Sequence, residues 1–256
     1  MTTGLLATTL LNSLTAGCPV PVTPAALTTQ VANPDSPPDP VAALRKQFAP
    51  NRGVEIRERH RTGSAKGTRR GVVQFSAAGV TGYSTTNKTE AGLVTVLAVG
   101  RYTYQSGGPI KNALPEGKDW LRVDSDRKTR TPFFTPVYPL EPDTLKALLT
   151  TAAPIDGRIP KRGDGRVYKG VITYGELYRT SPSFKDRLGR QPTLETAATM
   201  ITWKLWTDQD GLPRRLATGW TEADAMGRAD KSSDLRLTSW GIPVTLTPPP
   251  SAKTTT

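Results

Sequence analysis

The sequence predicts an α+β protein in which one antiparallel sheet carries its helices on a single face. About nine or ten short alternating segments are separated by Gly-, Pro- and Asx-rich turns, two or three short amphipathic helices interrupt them, and no βαβ alternation asks for a parallel sheet. Gly and Pro each number 23 in 256 residues, and proline gathers at the two ends. That distribution places one β-rich domain between polar flanks expected to be disordered. A hydrophobic content of 36% suffices for a core once the flanks are discounted.

Residues 4–17, GLLATTLLNSLTAG, form an apolar run too short to span a bilayer but suited to the hydrophobic part of a secretory signal. No Lys or Arg precedes it, so either the natural start lies upstream or the signal is incomplete. Cys18 follows and is the one cysteine, so an intrachain disulfide cannot form. Leu14-Thr15-Ala16-Gly17-Cys18 resembles a bacterial lipobox, which implies residues 1–18 as a signal segment and a diacylated thiol at Cys18. Residues 19–38, rich in Pro, Thr and Ala, read as a tether.

Asp39 and Pro40 suit an N-cap and a first-turn proline, and Val41, Leu44 and Phe48 follow at helical spacing, so a helix is expected over 40–49. Strands are expected at 54–62 and 71–76 across the turn at 63–67, then at 79–85, 93–99, 102–106 and 118–124. LVTVLAV at 93–99 is apolar on both faces apart from Thr95, which predicts cover on both sides. Leu145, Leu148 and Leu149 stripe a helix over 142–152. RVYKGVITYGELY alternates throughout, so one strand is expected over 166–178, with Tyr168, Ile172, Tyr174 and Tyr178 on one side. A short helix over 183–188 is closed by Gly189.

Residues 201–220, ITWKLWTDQDGLPRRLATGW, are the clearest hairpin, with Ile201, Trp203 and Leu205 on one face and Thr202, Lys204 and Trp206 on the other. Asp208-Gln209-Asp210-Gly211 also opens like a calcium loop, but the downstream bidentate Glu of such a loop is missing, and the stretch reads as a turn. Strands at 234–240 and 244–247 finish the domain, bounded at 39–249, and 250–256 is expected to be a disordered tail.

The formal net charge of +12 favours a polyanionic partner. The sequence carries no RNP pattern, zinc-knuckle spacing or helix-turn-helix signature, so nucleic acid is not the expected one. Arg57, Arg59, Arg61, Lys66, Arg69 and Arg70 are the densest cationic group. Such a run is either a solvated hairpin edge guarded against aggregation or a polyanion site; in the second case Arg57, Arg59, Arg69 and Arg70 are the contacts. One His, at position 60 in a charged strand, no Gly-x-Ser-x-Gly elbow and no phosphate loop leave little for catalysis, so no enzyme activity, metal or cofactor is expected.

Four phrases occur in order: DPVAAL from Asp39, Gly-Lys-x-Trp-x-x-Val-Asp from Gly117, LWTDQDGLPRR from Leu205, and SWGIPVTLTPP from Ser239. Together they resemble the actinobacterial LppX/LprG-type lipoproteins, relatives in fold of the LolA and LolB lipoprotein carriers. The resemblance implies an open half-barrel with helices across its concave face, acyl chains held between the two layers, and an N-terminal lipid anchor outside the cytoplasmic membrane. Related domains also serve as envelope sensors, so fold alone leaves the function open.

On that reading Val94, Val96, Tyr168, Ile172, Tyr174, Trp203 and Leu205 line a lipid cavity, with Leu145 and Leu148 as its lid. The same residues would equally fill a solid core, and Lys169, Thr173 and Thr202 dilute the strands with polar groups. Two functions follow. One is a membrane-anchored, extracytoplasmic carrier of an acyl lipid or glycolipid. The other is a sensor or interaction domain whose basic surface meets an anionic envelope polymer, a headgroup or a protein. A continuous apolar cavity of roughly several hundred Å³ between sheet and helices would favour the first.

Overall fold

The computed structural model describes residues 38–124, 131–153, 165–224 and 227–256. Its first half runs α1 (Pro40–Lys46), β1 (Arg52–Thr62), β2 (Ala65–Ser76), β3 (Gly79–Thr89), β4 (Gly92–Val99), β5 (Tyr102–Gly107), α2 (Gly108–Ala113) and β6 (Trp120–Asp124). The second half runs α3 (Pro142–Thr150), β7 (Ala152–Ala153), β8 (Val167–Thr173), α4 (Tyr174–Thr180), α5 (Pro182–Leu188), α6 (Leu194–Ala197), β9 (Met200–Thr207), β10 (Pro213–Asp224) and β11 (Gly227–Pro243). A 3₁₀ turn at Ser251–Lys253 and β12 (Thr254–Thr255) end the chain.

All twelve strands belong to one open, curved sheet in the order β12-β6-β5-β4-β3-β2-β1-β11-β10-β9-β8-β7. The protein is α+β, as expected. Two meanders meet at its middle: β1 to β6 step outward one way and β11 to β7 step outward the other, joined where β1 pairs antiparallel with β11. The single parallel pair among the described strands is β12 on β6, at one edge.

The helices lie on one face, called inner here. There α1 packs on α3, α3 on α4, and α4 on α5. Alternation along the strands sends Val54, Ile56, Val73, Phe75, Leu205, Leu216, Leu235 and Leu237 into this layer, with Leu44, Leu145, Leu148 and Leu177 meeting them from the helices. Asp39 caps α1, its Oδ1 accepting from Val41 N at 2.9 Å. In the predicted hairpin, Asp208 Oδ1 accepts from Asp210 N (3.0 Å) and Leu212 N (2.9 Å), and Gly211 takes a φ of 83° that favours glycine.

Several expectations need correction. The strand expected at 244–247 does not form, because β11 runs on to Pro243 and the chain beyond it is irregular, and Leu93, in the stretch expected to be covered on both faces, is 55% exposed. The strand expected over 166–178 stops at Thr173, and Tyr174 begins α4. Thr173 and Glu176 form a capping box: Glu176 N donates to Thr173 Oγ1 (3.2 Å) and Thr173 N donates to Glu176 Oε2 (2.7 Å). This local pairing overrides the period-two alternation of the tyrosines. Residues 250–256 are not a free tail, since β12 pairs with β6 and Asp119 N donates to Lys253 O at 2.9 Å. The helices also outnumber the two or three expected; α2, α4 and α6 are each seven residues or fewer.

Residues 131–140 cross the inner face without regular structure, yet Phe133, Thr135, Val137, Tyr138 and Leu140 are buried. On the outer face the chain after β11 crosses back toward the opposite edge. Val244 N donates to Asn51 O (3.1 Å), and Leu246 N donates to Gln74 Oε1 (2.9 Å). Gly82 opposes Val99 of β4 and leaves the space that Leu246 occupies.

Candidate functional site

Most of the predicted cavity residues form a packed core. Leu145, Leu148, Ile172 and Leu205 have no exposed surface, and Tyr174 and Trp203 are 2% and 3% exposed. Tyr168 and Val96 pack against this cluster from its margin, and Val94 is half-buried on β4 beside Gly108. Tyr174 reaches the core from α4 rather than from a strand, its ring edge-on to Phe184 with centroids 5.0 Å apart. Burial pushes its hydroxyl pKa far above the tyrosine range.

Open volume lies beside that core. A groove of about 690 Å³ runs between the β2–β3 turn and the layer made by α1, residues 131–143 and the start of α5. Phe48, Val80, Tyr83, Phe133, Tyr138 and Leu140 supply its apolar walls, while Arg45, Asp143 and Asp186 stand among its charged residues. Its size is that of a small-molecule site. None of the nine predicted residues lines it. The signal that could have found it is TPFFTPVYPLEP at 131–142, an aromatic and proline-rich phrase with neither helical nor strand period.

One wall of the groove is pinned by a buried carboxylate. Glu58 Oε2 accepts from Phe134 N at 2.8 Å, and Glu58 Oε1 accepts from Thr135 N at 3.0 Å and from Ser233 Oγ at 2.6 Å. Arg69, opposite Glu58 across β1 and β2, comes within 3.9 Å of its Oε2 and donates to Pro132 O (2.8 Å) and Asn87 Oδ1 (2.5 Å). This corrects the expected anion site: Arg69 points inward and is committed to the fold, while Arg57, Arg59 and Arg70 point outward. His60 stacks on Phe134 with centroids 4.3 Å apart, in space left by Gly67, where a Cβ would run into the imidazole. Burial lowers the His60 pKa; the Glu58 carboxylate works against that, and Arg69 adds to it.

The outer face has a different character. Arg70 lies opposite Arg57, Arg57 opposite Arg236, and Arg236 opposite Arg215, so four adjacent strands place four arginines in one row. Arg215 grips Asp234 with two hydrogen bonds of 2.7 and 2.9 Å, and its guanidinium lies 4.6 Å over the Trp206 ring. Arg57, Arg70 and Arg236 are exposed and have no acidic partner among the described residues. With Arg59 and Lys88 they line a groove of about 840 Å³ whose walls include Thr68, Thr86, Thr238 and Ser239. Glu55 also borders it, and accepts from Ser239 Oγ at 3.0 Å.

Cys18, the signal segment and most of the tether lie outside the described residues. No helix among the described residues is long and apolar enough to cross a membrane. Among the same residues, no group of three or more His, Cys, Asp and Glu could hold a metal ion.

No protein-family model matches the sequence, and no curated protein is similar to it at a significant level. A solved structure of a DUF1329 family protein from Desulfovibrio piger is weakly similar, at 10% identity and a TM-score of 0.28. The alignment covers 82% of this chain and 95% of that one.

Proposed function

We propose that this protein is a LolA-like, LppX/LprG-type lipoprotein of the cell envelope, anchored outside the membrane through Cys18, that binds one acyl chain of a lipid or glycolipid. The observation that carries the reading is the apolar groove of about 690 Å³ at the margin of the sheet–helix interface. An open curved sheet with helices on one face supports it, because such a fold can part at its margin without breaking strand pairing. Each methylene moved from water into the groove would contribute about 0.8 kcal/mol, so half a dozen suffice for about 5 kcal/mol before ordering costs. The packed core around Leu205 moves the seat of the lipid from the predicted residues to Phe48, Val80, Tyr83, Phe133, Tyr138 and Leu140.

Native mass spectrometry of the chain purified from a host making envelope lipids tests this. The expected result is a reproducible mass increment matching an extractable acyl lipid. It should vanish in Val80→Trp, where a larger side chain fills the groove from a position already 39% exposed and so leaves the fold intact. A clean apo mass with no extractable lipid would overturn the carrier. The arginine row favours a second reading, an interaction domain for a polyanion, and its argument stands on a separate surface.

A further inference from the structure

From the outer face we infer a binding site for a linear, phosphate-bearing polyanion, laid across the strands along Arg70, Arg57, Arg236 and Arg215. The inference is independent of the lipid groove, which lies on the opposite side of the sheet. Like charges placed directly opposite each other on neighbouring strands are destabilising, and this row contains three such Arg–Arg pairs in succession. Among the described residues, only its last member has an ion pair with a carboxylate, that of Asp234.

Protection of a sheet edge does not account for the row. β1 and β11 lie inside the twelve-stranded sheet, four or more strands from either edge, and at Arg57 and Arg236 each is paired with a strand on both sides. Arginines here guard nothing against edge-to-edge pairing. Their repulsion is offset when anions lie between them.

The geometry selects the kind of anion. Neighbouring strands are about 4.8 Å apart, so four arginines in register present guanidinium groups along roughly 14 Å, perpendicular to the strands. Each planar fork can take two oxygens of a phosphate, which matches a chain with anionic groups repeated along its length better than one isolated ion. Arg70, Arg57 and Arg236 line a groove whose walls also carry the hydroxyls of Thr68, Thr86, Thr238 and Ser239. Trp206, beneath Arg215, closes the row at one end and supplies a fluorescent reporter.

The test uses the full chain and sodium polyphosphate of medium length, titrated by calorimetry and Trp fluorescence at several salt concentrations. With a net charge of +12 some nonspecific binding is expected, so the comparison is between two charge-matched variants. Arg57→Gln/Arg236→Gln removes two row members; Lys185→Gln/Arg190→Gln removes two exposed cations near the end of α5. The expected result is a loss of affinity of tenfold or more in the row variant alone, with a shallower salt dependence and thermal stability equal to or above the parent's. Equal losses in both variants would overturn the site, leaving general electrostatic attraction. Binding to phosphatidylglycerol vesicles that depends on the row, with no row dependence for polyphosphate, would also overturn it and make this face a membrane contact.

Discussion

Glu58 shows how one side chain can organise a loop with no ladder of its own. It is 1% exposed, accepts three hydrogen bonds from residues 134, 135 and 233, and stands beside the guanidinium of Arg69. Removing it leaves two buried amides without acceptors and a largely buried cation without its counter-charge. Glu58→Ala is therefore expected to destabilise the protein by about 3–5 kcal/mol. Glu58→Gln should recover part of that loss, because its one carbonyl oxygen can still accept while its amide nitrogen faces a donor. Urea unfolding followed by Trp fluorescence reads both variants, since Phe134 lies 5.7 Å from the Trp220 ring. A loss under 1 kcal/mol in the alanine variant would show that the loop is held by its apolar side chains instead.

At the scale of the element, the boundary between β8 and α4 is set by four residues. Thr173 ends the strand with its extended backbone and starts the helix with its hydroxyl. Thr173→Ala is expected to cost about 1 kcal/mol, the usual worth of an N-cap, and Thr173→Ser should cost much less. Equilibrium unfolding of both variants checks the difference, and equal losses would assign the effect to the threonine methyl rather than to the cap. Ser181 then serves two helices in turn: its backbone N–H closes α4 on Leu177 O at 2.7 Å, and its Oγ accepts from Phe184 N at 3.1 Å to open α5. Such short helices hold together by their caps and their packing on the sheet more than by propensity.

For the whole molecule, the C-terminal segment returns the chain from the centre of the sheet to its edge. Val244 is 7% exposed and Leu246 lies over Gly82, whereas of the last contacts β12 on β6 is half-buried and the Lys253–Asp119 ion pair is exposed. Truncation after residue 250 is expected to change stability by about 0.5 kcal/mol or less. Truncation after 243 also removes the buried valine and should cost about 2 kcal/mol or more, a drop of several degrees in Tm for a domain of this size. Calorimetry of the two truncated chains separates these outcomes; equal melting temperatures would mean that the crossing segment adds nothing to the fold.

Local physical chemistry alone determined much of what was legible. The α+β class, the cap at Asp39, the hairpin around Asp208 and the inward set Ile201, Trp203 and Leu205 follow from alternation, turn chemistry and capping, which act over a few residues. The capping box at Thr173 was equally local, but Tyr168, Ile172, Tyr174 and Tyr178 at even spacing suggested a strand through it, and two local signals in conflict are resolved by packing. Only the tertiary structure decided where β1 sits. An arginine-rich hairpin reads the same at an edge or in the middle of a sheet, because the pairing of β1 with β11 joins residues some 180 positions apart in the chain. The β1–β2 hairpin sets Arg69 opposite Glu58 and Arg70 opposite Arg57; the long-range pairing brought Arg236 and Arg215 into line with the second pair, and residues 131–143, a stretch with no period to read, covered the first. Sequence patterns specify which side of a strand is apolar; the order of strands, and so every surface built from several of them, depends on contacts that no short stretch of sequence contains.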